Sequence, residues 1–322
     1  MTNATTVKLQ SGASMPLTGL GLWKVPRDVA ADQVYAALKA GYRLLDGAAD
    51  YANEKECGAG VARAIQEGVV TREELFIVSK LWNTNHAAKH VEPACRKSLA
   101  DWGLEYFDLY LIHMPIPLAY VDPAVREHPG WTTTGDDSGE IRTERSPIHL
   151  TWGAMEACHA QGLAKNIGVS NFCSALIVDL MCYANVHPQV LQIEMHPYFV
   201  QQGMIDVCKA YDIHIMAYSS FGPASWVELD HPATKTLPSL LSLDTITQIA
   251  DAHDATPAQV LLRWATQRGI TVIPKSSNPA RLKENLDNTS LMLSEEEIRT
   301  ISGLDKKFRI AGGGDPRINI WA

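Results

Sequence analysis

Eight short apolar runs, each followed by a helical pattern, constrain the fold of this chain more than any other feature. The runs are "LTGLGLW" (17–23), "RLLDG" (43–47), "LFIVSKLW" (75–82), "FDLYLIH" (107–113), "AKNIGVSN" (164–171), "VLQIEMH" (190–196), "IHIMAYSS" (213–220) and "ITVIPKS" (270–276). Between them lie "RDVAADQVYAALKAGY", with Val29, Val34, Ala37 and Leu38 near helical spacing, and "HVEPACRKSLADWG", "HLTWGAMEACHAQG" and "SLLSLDTITQIADAHD". Gly41, Gly103 and Gly162 stand just past a last turn, where glycine commonly ends a helix. Strands too apolar to face water on either side predict a parallel sheet wrapped by helices. The simplest closure of eight strand–helix units is an α/β (β/α)8 TIM barrel. A doubly wound open sheet competes with it, but no GxGxxG follows the first strand. No linker or low-complexity segment divides the 322 residues, so 1–322 reads as a single barrel domain.

Two segments fall outside the repeat. "VKLQSGASMPL" alternates polar and apolar residues around Ser11-Gly12, which predicts an N-terminal β-hairpin that plugs the lower mouth of the barrel. Residues 114–148 are rich in Pro, Gly and Asp and lack periodicity, the mark of a functional or mobile loop. Because this loop follows the fourth strand, it belongs at the C-terminal face, where barrel active sites lie.

Composition narrows the function classes. A net charge of −8 argues against sequence-independent nucleic-acid binding, which needs a basic face. No apolar run approaches the roughly 20 residues that span a bilayer, and no signal peptide is visible. The six cysteines (Cys57, Cys95, Cys158, Cys173, Cys182, Cys208) form no CxxC pair and no metal-ligand spacing. They read as reduced thiols of a soluble cytoplasmic enzyme with no metal.

The strand ends carry the chemistry. The second strand ends on Asp46 with Tyr51 in its loop, the third on Lys80, and the fourth on His113. Each residue alone reads as an ordinary cap, rim or structural group, Asp46 included. Together they put an acid, a phenol, an ammonium and an imidazole on one barrel face. An ammonium beside a tyrosine lowers a pKa that is otherwise about 10, and a carboxylate fixes the lysine. Lys80 and Asp46 are thus expected to tune Tyr51 as a proton donor, while His113 orients a carbonyl oxygen. The set lacks a nucleophile with its base, which points to a cofactor as hydride source.

Later strands offer a site for that cofactor. Ser170, Asn171 and Gln192 suit a carboxamide, and Tyr218 offers a flat stacking surface. Ser219, Ser220, Phe221, Pro223 and Ser225 follow, in a run of mostly small residues whose backbone can approach a diphosphate. Lys275, Ser276 and Ser277, then Arg281 and Asn285 on the first turns of a helix, describe a barrel phosphate site. The plain alternative for this last group is a solvated basic cluster.

"DGAADYANEKECG", "SKLWN", "LIHMP", "GVSNF", "QIEMHPY", "YSSFGP" and "IPKS…R…EN" occur in the order and spacing of the aldo-keto reductases, and the chain resembles that family over nearly its whole length. The resemblance implies an NAD(P)H-dependent carbonyl reductase with Asp46, Tyr51, Lys80 and His113 as its tetrad. It implies a nicotinamide stacked on Tyr218 with its carboxamide held by Ser170, Asn171 and Gln192. It also implies that Lys275, Ser276 and Arg281 take an adenosine 2′-phosphate, with Glu284 and Asn285 in the same motif. Within the family the chain is most similar to fungal xylose (aldose) reductases, through "GLWKV", Asp50 before Tyr51, the long insertion after His113 and "SSFGPASWVELD". In those enzymes the counterpart of Glu228 can hold the adenosine ribose, which permits some NADH use. Ser277 stands in place of an Asn and keeps a hydroxyl for the 2′-phosphate, so NADPH is the expected cofactor.

The resemblance further implies reduction of an open-chain sugar aldehyde, of the D-xylose or L-arabinose type, to its alditol. Trp23, Asp50, Trp82 and His113 are then expected to line the pocket, with the C-terminal tail closing it. One departure bears on the substrate. "KFRIAGGGDPRINIWA" places Ala311 where xylose reductases carry a sugar-binding Asn, with Arg309 and Arg317 nearby. A uronic acid held by an arginine of the tail or of the 114–148 loop is therefore an alternative substrate, as is a broad range of aldehydes. A non-catalytic NADPH-binding regulatory subunit is the alternative of a different class. The chain is expected to act as a monomer or a homodimer.

Overall fold

The computed structural model describes residues 5–134, 139–312 and 319–321. An antiparallel hairpin, β1 (Thr6–Lys8) and β2 (Ser14–Pro16), opens the fold with Val7 opposite Met15. Eight parallel strands follow: β3 (Leu20–Gly21), β4 (Leu44–Asp46), β5 (Phe76–Leu81), β6 (Leu109–Ile112), β7 (Ile167–Ser170), β8 (Val190–Glu194), β9 (His214–Tyr218) and β10 (Thr271–Val272). Each lies inside one of the eight apolar runs and pairs with the strand next to it in sequence.

The first and last strands meet. Gly19 N–H donates to Val272 O at 2.8 Å, Val272 N–H to Leu17 O at 2.9 Å, and Gly21 N–H to Pro274 O at 3.2 Å. These bonds close the sheet into a (β/α)8 barrel. The seam is tight, since a Cβ at Gly21 would come within 2.5 Å of the Ile273 carbonyl oxygen.

Side-chain alternation separates two cores. Leu44, Phe76, Val78, Leu109, Leu111, Val190 and Met216 fill the barrel interior, where Leu9 and Met15 of the hairpin join them. The hairpin therefore plugs the barrel as expected, and burying each of its two apolar side chains contributes roughly 1.5–3 kcal/mol. The alternate residues, among them Leu45, Ile77, Tyr110, Ile112 and Leu191, pack outward against the helices. The helices Arg27–Ala40 and Ala88–Trp102 end on Gly41 and Gly103, both in the left-handed conformation that lets each turn back toward the sheet.

The described residues of the insertion after β6 are held by local contacts. Leu118 pairs with Thr143, and Ile116 and Leu118 pack with Met114, Trp131, Ile141 and Ile320. The loop thus leans on the C-terminal tail.

Candidate active site

The parity that fills the barrel with apolar side chains also places its polar ones. Val78 and Lys80 lie two apart on β5, as do Leu44 and Asp46 on β4, so the polar residues form the layer above the apolar plug. Lys80 is fully buried, and its Nζ donates to both Asp46 oxygens and to Gly47 O at 2.9 Å. The same Nζ lies 3.2 Å from the Tyr51 Oη. His113 completes the group, with its ring edge-on to Tyr51 at 5.7 Å between centroids and to Trp82 at 5.2 Å. Asp46, Tyr51, Lys80 and His113, drawn from three successive strand ends, meet in one place.

The electrostatics depart from the sequence expectation at one point. Burial, then the carboxylates of Asp46 and Asp50 and the phenol of Tyr218, push the Tyr51 phenol well above its usual range rather than below it. Asp46 sits directly on the Lys80 ammonium and offsets its field at Tyr51, so desolvation of the phenol dominates. Burial also lowers the Lys80 ammonium, against the pull of Asp46. His113 is driven well below its ordinary value by burial, Lys80 and His86, which makes it a neutral imidazole at physiological pH.

Asp50 faces the same cavity and makes no hydrogen bond or ion pair among the described residues; burial pushes its carboxyl up to about 7. Below that pH it is a neutral acid and above it a carboxylate. A polyol substrate that donates hydroxyls to Asp50 is expected to show a KM that falls as pH rises through about 7, and Asp50→Asn should flatten this dependence. The same shift stabilises the fold relatively more at acid pH, and that contribution is lost as pH rises through about 7. Steady-state KM and denaturant midpoints measured from pH 5 to 9 check both.

Tyr51, His113 and Asp46 open onto a cavity of about 650 Å³. Asn171, Gln192, Tyr218, Ser219, Ser220, Phe221, Ser225, Glu228, Lys275, Ser276, Ser277, Arg281 and Asn285 line it. Tyr218 is fixed by its hydroxyl, which donates to Asn171 Oδ1 at 2.7 Å, while Asn171 Nδ2 donates to His113 O at 3.0 Å. Asn171 adopts φ 64°, a left-handed conformation that asparagine tolerates better than most residues. Gln192 Nε2 donates to Asp46 Oδ1 at 2.7 Å, so what Gln192 has left for a carboxamide is its oxygen.

Three residues expected at the cofactor stand off the cavity wall. Ser170 is covered by Asn171, whose Nδ2 donates to its Oγ at 3.0 Å; Pro223 is buried, and Glu284 is outside the lining. Asn53 is the N-cap residue of the helix Glu54–Gln66, and its side chain is engaged elsewhere instead of capping that helix. Its Nδ2 donates to the Leu22 and Val25 carbonyls at 3.0 Å and so fixes the loop that carries Trp23.

The donor set fits a phosphorylated dinucleotide. Ser220 Oγ is buried at the cavity wall with no partner, a hydroxyl that a ligand oxygen would satisfy. Lys24, Lys275 and Arg281 supply cations around it. Glu228 bridges Lys24 at 3.3 Å and Lys275 at 2.8 Å, which ties the segment Gly222–Leu229 to both lysines. Lys24 escaped the sequence reading; its only signal was its place in "GLWKV" after the first strand.

The cavity is also rich in tryptophan. Trp23 meets Trp226 edge-on at 5.0 Å, and Trp131 meets Trp82 at 5.1 Å, with Trp82 Nε1 donating to Gly130 O at 3.2 Å. Met114, Ile116, Ile141, Ile310 and Trp321 add apolar surface. Trp131 and Ile141 lie in an aperiodic stretch whose pattern singles out neither. Ala311 lines the cavity, as expected, and presents only a methyl group there.

Arg309 does not line it. Its guanidinium lies over the Phe199 and Trp321 rings, at 4.6 and 4.2 Å from their centroids. Among the described residues no arginine of the tail or of the 114–148 loop lines the cavity, and Arg317 falls outside those residues.

Comparison with known proteins decides the family. The model of the Aldo/keto reductase family matches residues 9–306. The chain belongs to the aldo/keto reductase family. This aldo/keto reductase is 57% identical over 304 residues to a probable NAD(P)H-dependent D-xylose reductase of Aspergillus clavatus, covering 94% of this chain and 91% of that protein. It is 56% identical over 304 residues to the NAD(P)H-dependent D-xylose reductase of Aspergillus niger, covering 94% of each. To a probable reductase of the same description from Arthroderma otae it is 54% identical over 308 residues, covering 95% of this chain and 93% of that protein.

Proposed function

We propose that this aldo/keto reductase reduces the aldehyde of an open-chain aldose such as D-xylose to the alditol, with NADPH as its preferred cofactor and NADH accepted. The observation that carries the reading is the Lys80 ammonium, buried behind a cavity of about 650 Å³ and placed between Asp46 and the Tyr51 hydroxyl, which both line it. The relatives' description as NAD(P)H-dependent D-xylose reductases supports the substrate class.

Tyr51 enters protonated and gives its proton to the carbonyl oxygen. Lys80, 3.2 Å away, then stabilises the phenolate, since a hydrogen bond to the charged form favours it. Neutral His113 donates to the carbonyl oxygen and aims the aldehyde without adding charge. Tyr218 provides the stacking face for the cofactor, Asn171 and Gln192 the polar partners of its carboxamide, and Lys275, Ser276, Ser277, Arg281 and Asn285 the phosphate end. Bound NADPH supplies the hydride. Trp23, Asp50 and Trp82 complete the substrate wall.

A cytoplasmic setting accompanies this reading: the six thiols are free, and Cys57, Cys95, Cys158 and Cys208 are buried. Among the described residues no helix is long and apolar enough to cross a membrane.

Turnover of D-xylose and D-galacturonate with NADPH at several pH values tests the proposal. A clear preference for xylose is expected, because Arg309 is turned onto aromatic rings rather than toward a substrate carboxylate. A preference for galacturonate would overturn the aldose reading, and NADPH binding without turnover of any aldehyde would favour the regulatory one.

A further inference from the structure

Ile310, Ala311 and Gly312 form the outer wall of the cavity, and one buried carboxylate holds them there. Glu194, the last residue of β8, is completely buried and does not line the cavity. Its Oε1 accepts the Ile310 N–H at 2.9 Å and its Oε2 the Ala311 N–H at 2.8 Å. Nε2 of His196, also fully buried, lies 2.8 Å from Oε1.

We propose that Glu194, braced by His196, is a positioning residue that fixes the tail backbone as the substrate wall and thereby sets which aldehydes are accepted. This rests on the reading of the cavity as a carbonyl-reducing site.

The physical case is one of mutual need. A buried carboxylate requires hydrogen-bonded partners, and here two of its partners are successive amides of the tail. If the tail lifts, Glu194 loses two charge-assisted bonds at once, so the tail is held in a single register. Elsewhere the tail is tied less directly. Lys306 and Phe308 N–H groups both donate to Tyr198 O at 3.1 Å, upstream of the lining residues, while Gly312 N–H turns back onto Ile310 O at 2.8 Å. Because Glu194 grips the backbone, the side chain at position 311 can vary without releasing the wall. That is how Ala311 can replace a polar residue and still stand at the cavity.

Two variants test the latch from opposite sides. Glu194→Gln turns one acceptor into a donor facing an amide, and Ala311→Pro deletes the donor on the tail while leaving the barrel intact. Both are expected to raise the KM for D-xylose about tenfold or more, with kcat within about twofold. The KM for propanal, too short to reach the wall, and the NADPH dissociation constant should stay as in the wild type. Both variants should also speed tryptic cleavage in the tail at Lys306, Lys307 or Arg309, whereas Ala311→Ser, which keeps the N–H, should stay protected.

Wild-type xylose KM and tryptic protection in Ala311→Pro would overturn the proposal, and so would equal losses on xylose and propanal. Should Glu194→Gln fail to fold, Ala311→Pro decides. A wild-type protein that reduces no aldehyde would reject the functional reading, while the tryptic comparison would still judge the latch.

Discussion

Tyr51→Phe is expected to lower carbonyl reduction by about 10²–10⁴-fold, the usual contribution of a positioned acid. The variant should bind NADPH as the wild type does. Trp23 and Trp226 lie in the same cavity as Tyr218, Lys275 and Arg281, so cofactor binding there should still quench tryptophan fluorescence. The fold should tolerate the change, since Lys80 keeps Asp46 and the Gly47 carbonyl when it loses the phenol at 3.2 Å. Removing one such hydrogen bond costs about 1 kcal/mol. Turnover near the wild-type rate, with normal quenching, would refute Tyr51 as the acid.

Lys80→Met should damage both stability and activity, and the two effects can be separated. The substitution leaves the buried Asp46 carboxylate with Gln192 Nε2 at 2.7 Å but without its ammonium. Breaking a buried ion pair from one side costs on the order of 3–5 kcal/mol, because an uncompensated charge remains. Replacing both partners removes that charge, so Asp46→Asn/Lys80→Met should regain most of the lost stability. Neither variant should regain turnover, since nothing is left to stabilise the Tyr51 phenolate. Urea midpoints beside steady-state rates would show this split. A double variant as unstable as the single one would mean that Lys80 supports the fold by its packing rather than by its charge.

Much of this was legible because parallel strands covered on both sides must read as short apolar runs, and a barrel repeats them eight times. The same rule exposed the site. A Lys or Asp ending an otherwise apolar strand has no role in the plug, and although Asp46, Lys80 or His113 alone reads as an ordinary strand end, the three at successive strand ends stood out as a set. The residues proposed to hold the phosphates were legible by type, as cations and hydroxyls beside the last strand.

Other features were not. Ser170, Pro223 and Glu284 have suitable chemistry beside true lining residues, yet each points elsewhere or is covered, which no local pattern reveals. Trp131 lies in a loop without periodicity, and its place against Trp82 depends on how that loop folds back. The Lys24–Glu228–Lys275 bridge and the hold of Glu194 on Ile310 and Ala311 join segments far apart in the chain.

The sequence by itself determined the barrel, the family resemblance and the four residue types proposed for the reaction, because these follow from periodicity, side-chain type and order. Only the tertiary structure decided the direction of the Tyr51 shift, the turning of Arg309 onto aromatic rings and the anchoring of the tail. Each depends on distance and desolvation: whether Asp46 sits close enough to Lys80 to offset its field at Tyr51, and whether a buried carboxylate finds its donors. Those quantities exist only once the chain has closed on itself.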